Sequence, residues 1–294
     1  DVINEARLKV WSRQPASFFD EAVIDADGTM VETTGECKVG MDINYKGQWG
    51  YHPLVVSLAN TGEPLFLVNR TGDRPSHEHA GEYLDMAAAL CRKAGFRRIK
   101  LRGDTDFSQT SRLDGWHDQG IRFVFGIDAM PNLYKLAEEL PENAWQKLPR
   151  PARHAPTPKP RSRPENVKEE VVCRREFENI RLAGEDVAEF DHQPVKCERR
   201  YRVVVVRKDL EVFKGQQKLF DKERCFFYIT NDRERPAADI VYDANQRCNQ
   251  ENLIQQQKSD VRALSAPVDN LESNWAYMVI ASLSWSLKAW DALL

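Results

Sequence analysis

Near the start of the chain, apolar positions form three short runs separated by polar turns, which predicts three consecutive β-strands. In the first run, residues 22–31, apolar and polar positions alternate, so Asp25 and Asp27 are expected on one face of the strand. The next two runs, 51–58 and 65–69, are separated by an Asn-Thr-Gly-Glu turn sequence, which favours a β-hairpin. The chain is therefore expected to open with three strands, the last two antiparallel.

A helical pattern follows before the chain returns to strands. The helix is predicted from Ser76, a favourable N-cap, to Gly95, a common residue just past a helix C-terminus. A strand is predicted at 98–102, a short helix at 108–119, and a strand rich in β-branched and aromatic residues at 121–127. By analogy, this β-β-β-α-β-α-β order is that of the ribonuclease-H-like fold. We predict an α/β fold with a mixed sheet flanked by helices.

The middle of the chain has a different character. A proline-rich stretch without acidic residues carries six basic residues and predicts an extended basic loop: Lys147, Arg150, Arg153, Lys159, Arg161 and Arg163. Residues 201–213 and 225–230 favour strands of a small sheet. We predict that 141–230 is an inserted β-rich domain, placed between strand five and a closing helix. The core is then made of 1–140 and 231–294.

Two helical patterns close the chain. The first runs from Pro236 through Lys258, and on it Arg247, Glu251, Ile254 and Lys258 are spaced four, three and four apart, on one face. Taken alone, this spacing also fits an exposed face with an Arg–Glu ion pair. In the second, apolar residues at helical spacing are expected to pack on the sheet: Trp275, Tyr277, Ile280, Leu283 and Leu287. This second pattern is too short to span a bilayer, so no membrane partner is expected.

Composition and charge narrow the classes of protein. The formal net charge of −3 does not by itself indicate a nucleic-acid binder, but basic residues are concentrated in the proline-rich loop and on the strand predicted at 201–213. A DNA-contacting surface and a solvated surface both remain open for these clusters. The six cysteines are scattered without a C-x2-C pair and no signal peptide precedes them, which predicts a reduced, cytoplasmic protein. The chain starts without methionine and ends inside an apolar helical pattern, which suggests part of a longer protein.

Five sequence blocks, in the order of the fold, resemble one family: DADGT, GQWGYHPLVVSLANTGEPL, NRTGDRPS, AGFRRIKLRGDTDFS and NQRCNQENLIQQQK. With its R-x3-E-x6-K spacing, the chain resembles bacterial insertion-sequence DDE transposases of the cut-and-paste branch. The resemblance covers nearly all of 20–130 and 225–290. It implies a DNA transposase that cleaves transposon ends and joins them to target DNA, acting at the nucleoid of a bacterium.

The same resemblance implies a metal-dependent active site. Asp27, Asp104 and Glu251 match the three catalytic carboxylates of the family. Asp25 and Asp106 are the alternatives in the first two blocks, and the choice between Asp25 and Asp27 stays open. Three carboxylates suit two Mg²⁺ or Mn²⁺ ions, which activate water and stabilise the departing 3′ oxygen.

The resemblance also implies DNA contacts. Arg247 and Lys258 are expected to hold phosphates of the transposon end, and the basic loop adds Lys147, Arg150 and Arg153. The family pattern places a tyrosine three residues before the Arg, where this chain has Ala244; the nearest tyrosine is Tyr242. The expected partners are double-stranded DNA, as transposon ends and target, and a second copy of the chain in a synaptic complex.

An aromatic side chain in the insert is a further expectation. Related transposases that form DNA hairpins hold a flipped base with a tryptophan there, but this chain has no tryptophan between Trp145 and Trp275. Tyr201, Phe213 or Phe227 could stack on a base instead, or could belong to the core of the sheet. The sequence therefore does not predict a hairpin intermediate.

Two other functions are compatible with the pattern. A stand-alone ribonuclease-H-like nuclease would share the carboxylates, but such enzymes pass directly from strand five to the closing helix, without an insert or basic loop. A domesticated transposase that only binds DNA would not need Asp27, Asp104 and Glu251 intact. The insert with its basic loop and the three intact carboxylates therefore favour an active transposase.

Overall fold

The computed structural model describes residues 2–149 and 166–294. Within these ranges the strands are β1 (Glu21–Gly28), β2 (Val31–Glu32), β3 (Asp42–Ile43), β4 (Trp49–Tyr51), β5 (Leu54–Leu58), β6 (Glu63–Val68), β7 (Arg98–Gly103), β8 (Arg122–Ile127), β9 (Gln146–Lys147), β10 (Glu178–His192), β11 (Tyr201–Lys214) and β12 (Gln217–Thr230). The helices there are α1 (Val2–Trp11), α2 (Ala80–Ala94), α3 (Leu113–Asp118), α4 (Pro131–Glu138), α5 (Val167–Arg174), α6 (Ala237–Gln246), α7 (Cys248–Ser259) and α8 (Leu271–Asp291).

One large sheet organises these elements, in the order β6-β5-β1-β7-β8-β12-β11-β10-β9. Strand β1 pairs antiparallel with β5 and parallel with β7, and β7 pairs parallel with β8. The predicted hairpin is present as β5 and β6. This arrangement confirms the predicted α/β fold, a mixed sheet of ribonuclease-H-like order flanked by helices.

The strands of the predicted insert extend this sheet. Strand β12 pairs antiparallel with β8, from Phe227 opposite Ile127 to Thr230 opposite Val124, and β11 and β10 follow outward. The hairpins formed by β10, β11 and β12 thus extend the core sheet beyond β8. The boundaries 141–230 for a separate inserted domain stay a prediction, and Arg150 and Arg153 lie outside the described residues.

The sheet has two covered faces, and alternation along β1 assigns side chains to them. Ile24 and Ala26 belong to the larger core, together with residues of α2, α3 and α4. Asp25 and Asp27 point to the opposite face, which α6 and α7 cover. Asp25 pairs with Arg102, which also pairs with Asp243 of α6. Asp27 contacts Arg247. Strand β1 therefore separates an apolar core from a charged layer.

Two predictions about the closing helices are wrong in detail. The helix expected from 236 to 258 is two helices that meet at Arg247. At this junction the backbone forms i to i−3 hydrogen bonds, as in a 3-10 helix, in place of the usual i to i−4 bonds. The Arg247 N–H donates to Ala244 O, and the Gln250 N–H donates to Arg247 O. In α8 the expected core residues Ile280 and Leu287 are 70% and 54% exposed.

Helix α8 buries a different stripe, spaced by four residues: Asn274, Met278, Ser282, Ser286 and Trp290. Small and hydrogen-bonded side chains are tolerated there because Asn274 binds the Val268 backbone and Trp290 Nε1 donates to Glu63. The prediction is thus confirmed for Trp275 and Tyr277, which pack against the core, and wrong for Ile280 and Leu287. None of the helices in the described ranges is long and apolar enough to cross a membrane.

Candidate active site

Two acidic residues lie where parallel strands end. Asp25 of β1 is in register with Arg102 of β7, so Asp27 and Asp104 follow at the same edge of the sheet. Asp104 comes directly after Gly103 and caps a short 3-10 turn, because its Oδ1 accepts a hydrogen bond of 3.0 Å from the backbone N–H of Asp106. The cap fixes the Asp104 carboxylate at the strand end.

The third carboxylate comes from α7. Gln250 is buried and holds this helix against β5: its Nε2 donates to Val55 O at 3.1 Å, and its Oε1 accepts from Ser57 Oγ. The neighbouring Glu251 is thereby presented at the same edge, with 62% of its side chain exposed. Sequence patterns missed Gln250, although a glutamine within the buried stripe of an amphipathic helix signals such an anchor.

Arg247 links these acids. Its Nη1 lies 3.5 Å from Asp27 Oδ2, and its Nη2 lies 3.9 Å from Glu251 Oε1. Burial raises the pKa of Asp104, and the charge of the Arg247 guanidinium partly offsets that rise. The structure therefore places Arg247 in contact with Asp27 and Glu251, and Asp104 close enough for its charge to act on Asp27; we refer to these four residues as the cluster, and their catalytic roles stay predictions.

The cluster has more negative charge than its arginine offsets. Burial, followed by the charge of Asp104 and more weakly that of Glu251, raises the pKa of Asp27 to about 7, against the lowering effect of Arg247 and the Gly28 N–H. Burial also raises the pKa of Asp104, and the charges of Asp106 and Asp128 act in the same direction. Carboxylates held together in this way favour a proton or a cation.

In donor chemistry, though not in their spacing, these acids suit a hard divalent metal. Carboxylate oxygens are the donors that Mg²⁺ and Mn²⁺ prefer, and here they come from two strand ends and a helix. Among the described residues, no three His, Cys, Asp or Glu side chains stand close enough to hold a metal ion at once. In the same arrangement the guanidinium of Arg247 contacts two of the three acids.

Asp25, the alternative to Asp27 as the first catalytic aspartate, lies in a buried network of ion pairs. It is 1% exposed, and its two oxygens accept hydrogen bonds of 2.7 and 2.8 Å from Arg102. Arg102 reaches on to Asp243, which also pairs with Lys100 and Arg235. Asp25 therefore belongs to a buried ion-pair layer beneath the cluster.

The expected DNA-binding residues are more scattered. Lys258 Nζ donates to the backbone oxygen of Met30 at 2.9 Å, and burial lowers the pKa of this amine. Tyr242 is half exposed on α6, and Lys147 pairs with Asp186 at 2.9 Å while remaining 80% exposed. Their contacts with DNA stay predictions.

The basic cluster on and before β11 mostly faces acids of the chain itself: Arg199 pairs with Asp118, Arg202 with Glu189, Arg207 with Glu142 and Lys208 with Glu185. Pairing within the chain explains these residues without DNA, and Arg202 is itself buried.

One acidic residue near the site was missed. Asp128 is exposed directly after β8, the third parallel strand of the core, and its charge raises the pKa of Asp104. The sequence signal was the one that identified Asp104, an aspartate at the end of a buried strand.

Comparisons with known proteins assign the chain to a family. Residues 5–291 match the family model of the transposase DDE domain group 1. A solved structure, a cryo-EM piggyBac transposase synaptic complex with hairpin DNA, is similar at 14% identity and a TM-score of 0.48, over 93% of this chain and 48% of that one. This chain thus spans about half the length of that protein. No curated protein sequence matches it. The resemblance stated from the sequence blocks is confirmed, and the chain belongs to the transposase DDE domain family, group 1.

Proposed function

We propose that this chain is the catalytic core of a DNA transposase that cleaves transposon ends and joins them to target DNA. The observation that supports the proposal is the cluster in which Arg247 contacts Asp27 and Glu251 while the charge of the nearby Asp104 raises the pKa of Asp27. Three separate segments of the chain supply these acids. Phosphodiester chemistry with shared metal ions requires acidic side chains from such segments at one site.

Asp27, Asp104 and Glu251 are the residues that would hold two Mg²⁺ or Mn²⁺ ions. When bound, such ions activate a nucleophilic oxygen and stabilise the departing 3′ oxygen. Asp27 would lose a proton on binding, since its pKa is about 7 without metal. Arg247 would exchange its carboxylate partners for a DNA phosphate, which suits its planar, two-pronged donor geometry.

The remaining partners follow from this chemistry. We infer double-stranded DNA as substrate, a dimeric synaptic complex that holds two ends, and action on the chromosome in a bacterial cytoplasm. Lys258 and Tyr242 lie on α7 and α6, whose junction carries Arg247, and remain the proposed further DNA contacts.

The test is a cleavage and joining assay on the element's own terminal DNA with Mg²⁺. Asp27→Asn, Asp104→Asn and Glu251→Gln should each lower strand cleavage by about a thousandfold or more, while DNA binding persists, because several kcal/mol of charge stabilisation is lost. Asp118→Asn is the matched control, since Asp118 pairs with Arg199 on the surface. Undiminished cleavage by any of the three variants would remove that residue from the site.

The same assay separates the alternatives. A stand-alone nuclease would cut but form no joined product, and a DNA-binding derivative would do neither. The convergence of the acids at one edge favours an active enzyme, because a protein that only binds DNA does not need to concentrate negative charge there.

A further inference from the structure

Strand β10 lies near the outer edge of the large sheet, and only part of its outer side is paired. Strand β9 pairs with Asp186 and Val187 alone, and the Leu148 N–H donates to Glu185 O. Along residues 178–184, β10 pairs with β11 on one side and with no other strand of the described ranges. This segment, which we call the free edge, therefore offers backbone N–H and C=O groups to a further strand.

The free edge carries apolar side chains that are exposed to solvent. Ile180 and Leu182 are 55% and 52% exposed. Register places Ile180 in one row with Val212 of β11 and Phe220 of β12, and Phe220 is 54% exposed. Natural sheets usually protect an edge strand with charges, prolines or a covering element. An edge that exposes apolar side chains is instead typical of a contact with another protein chain.

The charge in the middle of the free edge is balanced within its own chain. Arg181 pairs with Glu169 of α5, and its guanidinium carbon lies 4.4 Å from the centroid of the Phe213 ring. Two copies of Arg181 could therefore approach each other without bringing two unpaired cations together. The free edge thus does not repel a second copy of itself.

The pattern of side chains along the free edge favours a second copy of this chain as the partner. Antiparallel pairing of the free edge with itself, across a two-fold axis at Arg181, places Ile180 opposite Leu182 of the second copy, and Leu182 opposite Ile180. Directly opposite residues of paired strands are in contact, so both apolar side chains gain an apolar neighbour. Residues 149–164 are less suited to pair there, because their sequence includes six prolines and proline has no backbone N–H to donate.

We infer that two copies of this chain associate through the free edge and form one continuous sheet across a two-fold axis. Such a contact uses the same surface on both copies and closes at a dimer. From Phe220 to Phe227, where β12 pairs with Ile127 of the core, the strand runs for roughly 23 Å, so the contact leaves the cluster accessible to DNA. The inference rests on the proposed function in expecting two copies in one synaptic complex, and it adds the surface that joins them.

The first measurement is the mass of the protein in solution, by light scattering after size-exclusion chromatography, in EDTA and without DNA. The parent protein should be a dimer that dissociates on dilution. Ile180→Lys and Leu182→Lys should each weaken association by about tenfold or more, because a cation would replace an apolar contact at the interface. Leu287→Lys is the matched control, since Leu287 is 54% exposed on α8, outside the free edge. A monomeric parent protein, or association undiminished in both free-edge variants, would overturn the inference.

A symmetric cross-link tests the register of the contact. The exposed thiols of Cys37 and Cys248 are first replaced by serine. In that background, Arg181→Cys should give a disulfide-linked dimer when diamide takes up the two thiol hydrogens, because the two copies of this position face each other across the axis. Phe220→Cys, on β12, should stay monomeric on a denaturing gel, and equal cross-linking at both positions would overturn the register. Cleavage that survives Asp27→Asn would instead contradict the proposed function and leave the dimer result standing.

Discussion

Asp25 and Asp27 lie two residues apart on one strand face, yet their surroundings differ in charge balance. Around Asp25 and Asp243, three cations lie in contact: Lys100, Arg102 and Arg235. Asp27 and Glu251 share one cation, Arg247, and Asp104 adds a third negative charge near Asp27. The first layer is paired within the protein, and the second keeps more negative charge than its arginine offsets. Charge balance, rather than the identity of the residue, distinguishes a structural carboxylate from a candidate catalytic one.

The largest expected effect on stability comes from breaking the satisfied layer. Asp25→Asn should lower the free energy of unfolding by about 3–5 kcal/mol, because the buried Arg102 would lose its two-pronged carboxylate partner and keep only Asp243. Asp118→Asn, at a surface ion pair, should change it by about 1 kcal/mol or less. Urea denaturation measures both variants, and equal small effects would show that the Asp25 layer is not a structural unit.

The second prediction concerns the pH dependence of the under-neutralised cluster in EDTA. Burial raises the pKa of Asp27 to about 7 in the folded protein, against 3.8 for an ordinary aspartate, so the folded state binds the proton more tightly. The contribution of Asp27 to the free energy of unfolding is therefore fully present below about pH 4 and is lost progressively as the pH rises through about 7.

Replacing Asp27 removes that loss. Asp27→Asn should be more stable than the parent protein at pH 8 by roughly 2–4 kcal/mol and about equal to it at pH 4. The groups that face Asp27, namely Asp104, Glu251 and Arg247, are unchanged in this variant. Denaturation curves at both pH values provide the measurement, and a variant that is less stable than the parent at pH 8 would contradict the charge imbalance.

Sequence patterns found the cluster because its members sit at strand ends and at helical spacing. Asp104 follows a buried strand, and the i,i+4 spacing of Arg247 and Glu251 gives an observed contact of 3.9 Å. Patterns failed where the determinants are distant in sequence or polar. The pairing of Phe227 with Ile127, which makes the hairpins part of the core sheet, depends on residues far apart in the chain.

Strand β10 was missed for a local reason. Its burial pattern is irregular, it carries many charges, and a bulge between Leu182 and Gly184 interrupts the alternation. The family resemblance could assign roles to Asp27 and Asp104, but only the tertiary contacts show that Arg102 satisfies Asp25.

The third prediction adds metal to the comparison. Mg²⁺ at about ten times its dissociation constant should stabilise the protein by about 1.4 kcal/mol, seen as a higher melting temperature. The gain should be larger at pH 8 than at pH 6, because binding needs the deprotonated form of Asp27. Glu251→Gln should lose most of the gain and Asp118→Asn should keep it. A shift that survives in Glu251→Gln would place the cation elsewhere.

The smallest expected effect tests whether Arg247 exchanges its acids for DNA. In a salt titration, the slope of the logarithm of the DNA-binding constant against the logarithm of salt concentration should be shallower by about one for Arg247→Gln. The reason is that one phosphate contact releases about one counterion. Arg97→Gln is the matched control: Arg97 is 63% exposed, pairs with Asp20 at 2.7 Å, and precedes the opposite end of β7. Its slope should match the parent. If both variants behave alike, Arg247 acts within the protein alone, as a partial neutraliser of Asp27 and Glu251, and the phosphate contact must come from another residue.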